Sequence, residues 1–476
     1  MPVFKSGERD DFNNYRPISL LSCFSKLFEK VVAQQVMYFV NHRDILYMHQ
    51  YGFRKNHNTS HPVMHFLDKI YASLNKQTPE FTIGIFIDLK KAFDTVDHQI
   101  LLKKLDFYGF RGVSNVWFQN YLLGRSQFVT IKGVNSRTKN MDCGVPQGSV
   151  LGPLLFLIFI NDLPSSIDFF TLLFADDTTL QLSGSNLEEL FAKANLELLK
   201  AQNWFQANRL TLNVKKTKFI LFRTKSMAFN PDLYSLKLDG KRIDRIGANC
   251  SETSFKFVGH YLDEFLSWDN HIQHVINKLS SANYAISSSK NFLPFKIRKT
   301  LYNTLFKSHL EFGILAYGCA QKSKLKKIIT LQKKCVRHVS NKEIRAHSDP
   351  LFYKMSVLKF EDLFNYNVNI FMHQYSTGKL PPSFNNMFTL MRNTDQHNII
   401  RDSYYNFSVS IPVRKGLANF PRAIFIPTWN GLSSVHQSTD SLKIFKVEYR
   451  KEILAKYDEF ESCDVVGCVE CREIRD

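Results

Sequence analysis

Cysteine is scarce and scattered, eight residues in 476, which excludes the disulfide-stapled scaffold of a small secreted domain. Long apolar runs are missing too. The longest, residues 150–160, covers 11 positions including Gly152 and Pro153 and is too short to cross a bilayer. The opening Met1-Pro2-Val3-Phe4-Lys5-Ser6-Gly7-Glu8 carries charge where a secretory signal needs apolar residues. These absences predict an intracellular chain with no membrane partner. There is no Gly-x-x-x-x-Gly-Lys-Ser/Thr loop and no Gly-x-Gly-x-x-Gly turn, which disfavours P-loop and dinucleotide-binding chemistry. Internal repeats, low-complexity tracts and long Gly/Ser linkers are absent as well.

Acids are in short supply. Lys and Arg number 62 against 43 Asp and Glu, a formal charge of +19, and the pI is about 9.4. That surplus favours a polyanionic partner, because each phosphate contact releases counterions. The charge is segregated. Residues 320–346 hold nine cations (Lys322, Lys324, Lys326, Lys327, Lys333, Lys334, Arg337, Lys342, Arg345) against Glu343 alone, whereas residues 451–476 hold four cations against eight acids. Apolar residues make up 44% and charged residues 22%, an ordinary globular composition, and the length suggests two or three domains. The 42 Phe fit core packing.

Periodicity then places the elements. Residues 81–89 read as a buried strand, 152–160 as a helix with Pro153 in its first turn, and 169–174 and 178–182 as a hairpin with Ala175-Asp176-Asp177 at its tip. Ser185-Asn186-Leu187-Glu188 forms a capping-box pattern ahead of an amphipathic helix carrying Leu187, Leu190, Phe191, Ala194, Leu198 and Phe205. Strands are expected near 210–213 and 219–223, and helical periodicity from Ile272 to about residue 345. The order of elements predicts an α+β protein with a helical appendage.

Two carboxylates stand out by their setting. Asp88 ends an apolar strand, where a charge is costly unless solvated or paired, and Asp176 sits at a hairpin tip between apolar strands. Presented side by side they would form a hard, oxygen-donor site suited to Mg²⁺ and phosphoryl transfer. A carboxylate pair also serves glycoside hydrolysis, but the basic surroundings suit nucleotides better than neutral sugars.

Seven blocks in order resemble the reverse transcriptase of a non-LTR (LINE-type), jockey-like retrotransposon. Phe4-Lys5-Ser6-Gly7 with residues 14–21 (Asn-Tyr-Arg-Pro-Ile-Ser-Leu-Leu) resembles its first fingers block, and Gln50-Tyr51-Gly52-Phe53-Arg54 with Thr59 the second. Residues 86–94 (Phe-Ile-Asp-Leu-Lys-Lys-Ala-Phe-Asp) resemble motif A, 144–153 (Gly-Val-Pro-Gln-Gly-Ser-Val-Leu-Gly-Pro) motif B, and Phe174-Ala175-Asp176-Asp177 motif C. Leu210-Thr211-Leu212-Asn213 with Lys216-Thr217-Lys218 resembles motif D, and residues 257–263 with Trp268 and His271-Ile272 resemble motif E and the thumb entrance. Residues 302–310 and 331–337 also fit; beyond about 346 the likeness weakens.

The resemblance implies a right-hand polymerase: an antiparallel palm sheet, helical fingers and a helical thumb, plus a C-terminal extension. The corresponding segments would be 1–80 (fingers), 81–268 (palm with an inserted fingers segment), 269–346 (basic thumb) and 347–476 (no assigned role, acidic Cys-containing tail). It implies an RNA-directed DNA polymerase, a nucleotidyltransferase that extends a primer with deoxynucleotides on an RNA template. Two Mg²⁺ ions, replaceable by Mn²⁺, would be held by Asp88, Asp176, the adjacent Asp177 and the Leu89 carbonyl. Asp94 would be structural. Phe93 would be the steric gate against a 2′-hydroxyl, unless it is an ordinary core ring, and Gln147 would face the nucleotide. Lys216 would approach the leaving pyrophosphate, with Lys218 close behind. Arg54 and Arg16 would touch triphosphate or template, or form a fingers ion pair. Val258, Gly259, His260 and Tyr261 would form the primer grip. The basic stretch 320–346, interleaved with Leu325, Ile328, Ile329, Leu331 and Val336, would be a thumb helix packed on one face and set on phosphates with the other.

Three points depart from the family's full pattern. Neither an upstream endonuclease nor a ribonuclease H set is recognisable, so a partial element product is expected. In the tail, Cys463, Cys468 and Cys471 have a zinc-like spacing without a fourth ligand, and reduced cysteines are the preferred reading. The alternative function, from a different class, is a catalytically silent nucleic-acid-binding remnant. An RNA-dependent RNA polymerase is disfavoured by Phe93. Nucleus and cytoplasm are the compartments the family implies.

Overall fold

The computed structural model describes residues 1–5, 7–390, 405–408 and 420–457; Cys463, Cys468 and Cys471 lie outside them. The chain is α+β and divides into two compact units, residues 1–58 with 80–251 and residues 59–79 with 252–476. Among the described residues no helix is long and apolar enough to cross a membrane.

The first unit is built on a five-stranded sheet. Its strands are β1 (Phe81–Ile87), β2 (Phe170–Phe174), β3 (Asp177–Gly184), β4 (Lys218–Phe222) and β5 (Asp244–Ile246), in the spatial order β5-β4-β1-β3-β2. Every residue of β1 is buried, as its continuous Ile/Phe run demands of a central strand. The expected all-antiparallel palm sheet needs one correction: β5 runs parallel to β4, while the other pairs are antiparallel. The helix Leu151–Ile160 is apolar all round and buried at nine of its ten positions, so it forms the centre of the core. Its first amides are satisfied from far away: Glu29, buried on the helix Cys23–His42, accepts the N–H groups of Val150 (2.6 Å) and Leu151 (3.2 Å) through Oε2.

Three local expectations are corrected. The amphipathic helix Leu187–Ala207 is capped by Asn186, whose Oδ1 accepts from the Glu188 and Glu189 amides, and not by a Ser185 box. Residues 210–213 form no strand; Leu212 makes a single bridge to Leu89. The hairpin tip is two residues, Ala175-Asp176, with Asp177 already the first residue of β3.

The second unit contains the hairpin β6 (Phe255–Phe257) and β7 (His260–Leu262), then helices. Helical structure beyond residue 272 is not continuous. It runs Asp269–Ser289, resumes at Phe295, passes through a π-helical stretch Tyr302–Lys307, stops at Gly313 (φ 71°) and includes Lys322–Ser340. The helix Ser60–Leu74 packs in this unit against Ile314–Tyr317 and Pro421–Asn430, with Asp68 and Arg422 forming a two-pronged ion pair.

His260 and His271 are buried here, with ring centroids 5.3 Å apart. The Tyr261 N–H donates to His271 Nδ1 (3.4 Å), and His260 Nδ1 donates to the Val258 carbonyl (3.1 Å). Burial holds His260 down to about 4; burial and then the neighbouring His260 hold His271 down to about 3. The unfolded chain protonates such rings near pH 6.5, so acidification loads protons on the unfolded state first. Stability is therefore full above pH 6.5 and lost as pH falls below it, by about 2 kcal/mol per ring at pH 5. Urea midpoints at pH 7 and pH 5 should show the drop, and the double replacement His260→Phe/His271→Phe should flatten it. An equal drop in both proteins would remove the pair as its cause.

Candidate active site

The sheet register brings the acids together. β1 pairs with β3 so that Ile87 faces Thr178, and one further step places Asp88 beside Asp177. Phe174 pairs with Asp177, leaving Asp176 in the turn between β2 and β3. Ala175 has φ 58°, the first central position at which a II′-type hairpin turn takes glycine. A non-glycine residue stays in that region only when its surroundings enforce it.

Gln50 supplies that enforcement. Its side chain is buried, and Oε1 accepts the N–H groups of Ala175 (3.2 Å) and Gly52 (2.9 Å). The flanking backbone bonds to β2, Tyr51 N–H to Leu173 O (2.8 Å) and Leu173 N–H to His49 O (3.0 Å), hold Gln50 in register. A Cβ on Gly52 would lie 2.3 Å from the Ala175 nitrogen, so only glycine allows this approach.

Asp88 is clasped from the other side by residues 211–217. The Asn213 side-chain amide donates to Asp88 Oδ2 (2.7 Å) and its backbone N–H to the Asp88 carbonyl (2.8 Å). Thr217 Oγ1 accepts the Asp88 N–H (3.3 Å) and donates to the Asn213 carbonyl (3.0 Å). Leu89 is buried, and the Lys90 N–H on its far side bonds to Thr211 O (2.9 Å). Gln50 and Asn213 lie within motifs that assign them no role of their own, and Glu29 lies outside every motif. The signal for all three is chemical, a polar side chain that must find a partner inside the fold, and it names no partner more than a hundred residues away.

Burial, and then neighbouring negative charge, disfavours ionisation of Asp176 and Asp177. Burial raises Asp176 above the ordinary carboxylate range, with the Asp88 charge adding to it; Arg16 and Lys5 oppose the shift without cancelling it. Asp177 is pushed up to about 6 by the protein packed around it and then by Asp176 and Asp88, although its side chain reaches solvent. An oxygen-only donor set with uncompensated negative charge fits a hard divalent cation. Among the described residues no group of three His, Cys, Asp or Glu side chains is placed to hold a metal ion by itself. Mg²⁺ sites in phosphoryl-transfer enzymes commonly use one or two carboxylates together with substrate phosphates and water.

The other expected site residues fall in three places. Gln147 donates through Nε2 to Asp94 Oδ1 (2.9 Å), and burial raises the Asp94 carboxyl. Gln147 is further fixed by its carbonyl, which accepts the Ser19 N–H (2.7 Å), while Gly148 (φ 105°) runs against the Ser19 backbone. Phe93 is half-buried, 4.7 Å from the Phe156 ring. Lys216 is exposed beside the clasp, whereas Lys218 pairs with Asp244 (2.7 Å). Arg54 Nη1 donates to the carbonyls of Tyr47 (3.2 Å) and Gln50 (3.3 Å), bracing the latch that Gln50 forms on the turn.

In the second unit, Val258 and Gly259 (φ 43° and 87°) make the β6–β7 turn, and Val258, Gly259 and Tyr261 are half-buried. The His260 ring points into the core, stacked on Phe312 and His271. The helix Lys322–Ser340 buries Leu325, Ile328, Cys335, Val336 and Val339, half-buries Ile329 and Leu331, and exposes Lys322, Lys326, Lys327, Lys333 and Lys334. Lys324 is spent on Asp269 (2.7 Å).

Residues 5–262, more than half of the chain, match the family described as reverse transcriptase (RNA-dependent DNA polymerase). The protein belongs to the reverse transcriptase family. It is 29% identical over 356 residues to the RNA-directed DNA polymerase from mobile element jockey of Drosophila melanogaster, covering 71% of this chain and 37% of that protein. It is 28% identical over 354 residues to the probable RNA-directed DNA polymerase from transposon BS of the same fly, covering 71% and 38%. This reverse transcriptase chain thus spans under two-fifths of the length of those relatives. A telomerase structure from Candida tropicalis is 14% identical with a TM-score of 0.39, covering 71% of this chain and 55% of that one.

Proposed function

We propose that this reverse transcriptase is an RNA-directed DNA polymerase that adds deoxynucleotides to a primer 3′-hydroxyl on an RNA template. The observation that carries the proposal is the meeting of Asp88, Asp176 and Asp177 at one end of the sheet, clasped from opposite sides by Asn213 and Gln50. Asp88 and Asp176, with Asp177 and the Leu89 carbonyl, would hold divalent cations, Mg²⁺ by preference and Mn²⁺ as a substitute. Bound there, the cations supply charge neutralisation for the attacking and leaving oxygens of phosphoryl transfer.

The chain's own groups do the rest. Asn213 turns Asp88 by holding one carboxylate oxygen. Asp94 holds Gln147, whose exposed edge would lie along the incoming nucleotide. The Phe93 ring, backed by Phe156, would close the space a 2′-hydroxyl needs. Lys216 would sit at the departing pyrophosphate, and Arg54 would act through the latch it braces. The β6–β7 turn would meet the primer, and the exposed lysines of Lys322–Ser340 would track phosphates.

The test is incorporation of labelled deoxynucleotide on a DNA primer annealed to RNA, in Mg²⁺. Incorporation directed by the RNA sequence is expected. Tight nucleic-acid binding with no incorporation in either Mg²⁺ or Mn²⁺ would leave a binding protein instead. Phe93→Val should improve ribonucleotide use relative to deoxynucleotide by about tenfold, since a few buried carbons are worth that much discrimination. An unchanged ratio would return Phe93 to the core.

A further inference from the structure

One segment of the first unit has no part in the reaction above, and none of the described residues covers it. After the helix Val113–Leu122 the chain makes a long hairpin arm. Ser126–Gln127 pairs with Lys139–Asn140, Thr130–Ile131 pairs with Val134–Asn135, and Ser136 N–H to Val129 O (2.9 Å) joins the two ladders. Lys132 and Gly133, with φ 48° and 83°, form a I′-type tip that matches strand twist. Every residue from 126 to 140 is exposed.

A two-stranded hairpin standing in water is at best marginally stable, and its side chains would be expected to be polar. Here Phe128 and Ile131 are each 54% exposed and Val134 72%. Among them stand Arg125, Lys132, Arg137 and Lys139, with no acid between Leu123 and Met141. Cations alone would fit a hairpin edge protected against strand pairing. Cations interleaved with an exposed ring and β-branched side chains fit a strand of unpaired bases, which offers phosphates and apolar faces together. Helical RNA fits poorly, because its deep, narrow major groove does not admit a β-ribbon. From Arg125 to Lys132 the arm spans roughly 23 Å, long enough for several nucleotides.

We propose that the hairpin arm, residues 125–141, binds single-stranded RNA away from the carboxylate site, with its four cations on phosphates and Phe128 stacked on a base. The RNA it would hold is template strand not yet copied, so the inference rests on the polymerase reading. Unlike that reading, it is tested by binding alone.

The experiment uses the full chain and a fluorescent 20-nucleotide single-stranded RNA, with dissociation constants measured across a salt series. The triple variant Lys132→Gln/Arg137→Gln/Lys139→Gln should lower the log–log salt slope by about 2, at roughly 0.7 per lost contact on single strands. Phe128→Ala should weaken binding roughly tenfold with the slope unchanged, the mark of lost stacking. Both variants should melt with wild type and incorporate normally at saturating primer–template. Wild-type RNA affinity and slope in both variants would overturn the proposal. So would RNA binding intact with duplex-DNA binding lost, or RNA binding intact with a changed oligomeric state, which would assign the arm to DNA or to protein. If wild type fails to incorporate while the salt slope still shifts, the polymerase reading falls and the arm stands.

Discussion

Asp176→Asn should reduce single-turnover incorporation by about a thousandfold, the scale of removing one charge-stabilising group from a preorganised site. The substitution keeps the shape of the side chain and removes only its charge. The turn should survive, because Gln50 holds it through the Ala175 backbone N–H and not through the Asp176 side chain. RNA affinity should therefore stay at the wild-type value, and the melting temperature should not fall. Asp177→Asn should cost less, because Asp177 opens β3 with its side chain toward solvent, whereas Asp176 occupies the turn. Equal losses in the two variants would assign the principal role wrongly, and a wild-type rate for Asp176→Asn would remove the site altogether.

The second large effect is expected at a residue that carries no charge. Asn213→Ala removes the amide that holds Asp88 Oδ2 at 2.7 Å but leaves both backbone bonds of the clasp, Asn213 N–H to Asp88 O and Lys90 N–H to Thr211 O. The carboxylate should then sample orientations that the clasp forbids. Outer partners of metal-binding carboxylates typically contribute 10–100-fold to affinity or activity, and about that loss is expected here. The divalent-cation titration of activity should move to higher concentration, and Mn²⁺ binding, followed without substrate, should weaken in parallel. Asn213→Asp should be worse, since it sets a second carboxylate against Asp88 Oδ2 where the amide donated. If incorporation fell while Mn²⁺ binding and the titration midpoint held, Asn213 would be supporting the fold and not orienting Asp88.

What the sequence disclosed depended on how local the signal was. β1, the buried helix Leu151–Ile160 and the hairpin carrying Asp176 each announce themselves within ten or so residues, by an apolar run, a proline in a first turn or a turn between strands. The devices that aim the acids were hidden by distance. Glu29 caps a helix 121 residues later, Gln50 holds a turn 125 residues later, and Asn213 reaches back 125 residues to Asp88. A polar side chain with a remote partner leaves no periodicity. Residues 210–213 looked like a strand because Leu210 and Leu212 alternate with Thr211 and Asn213, yet the segment is a strap whose one bridge serves Asp88. The parallel β5 was invisible for the same reason, since strand direction depends on a crossover and not on composition.

The clasp around Asp88 also sets an order of assembly. All three acids lie within the first 177 residues, but Asn213 and Thr217 enter the chain later, and β4, which flanks β1 in the sheet, follows them. During synthesis at about 5–20 residues per second, the acids would wait seconds for the strap that orients one of them. A product ending near residue 205 would contain Asp88, Asp176 and Asp177 and still lack the amide, the hydroxyl and the neighbouring strand that fix the direction of the Asp88 carboxylate. An inventory of acidic residues would score such a fragment as intact. Its competence would be decided by two uncharged side chains, Asn213 and Thr217, some forty residues downstream of Asp177.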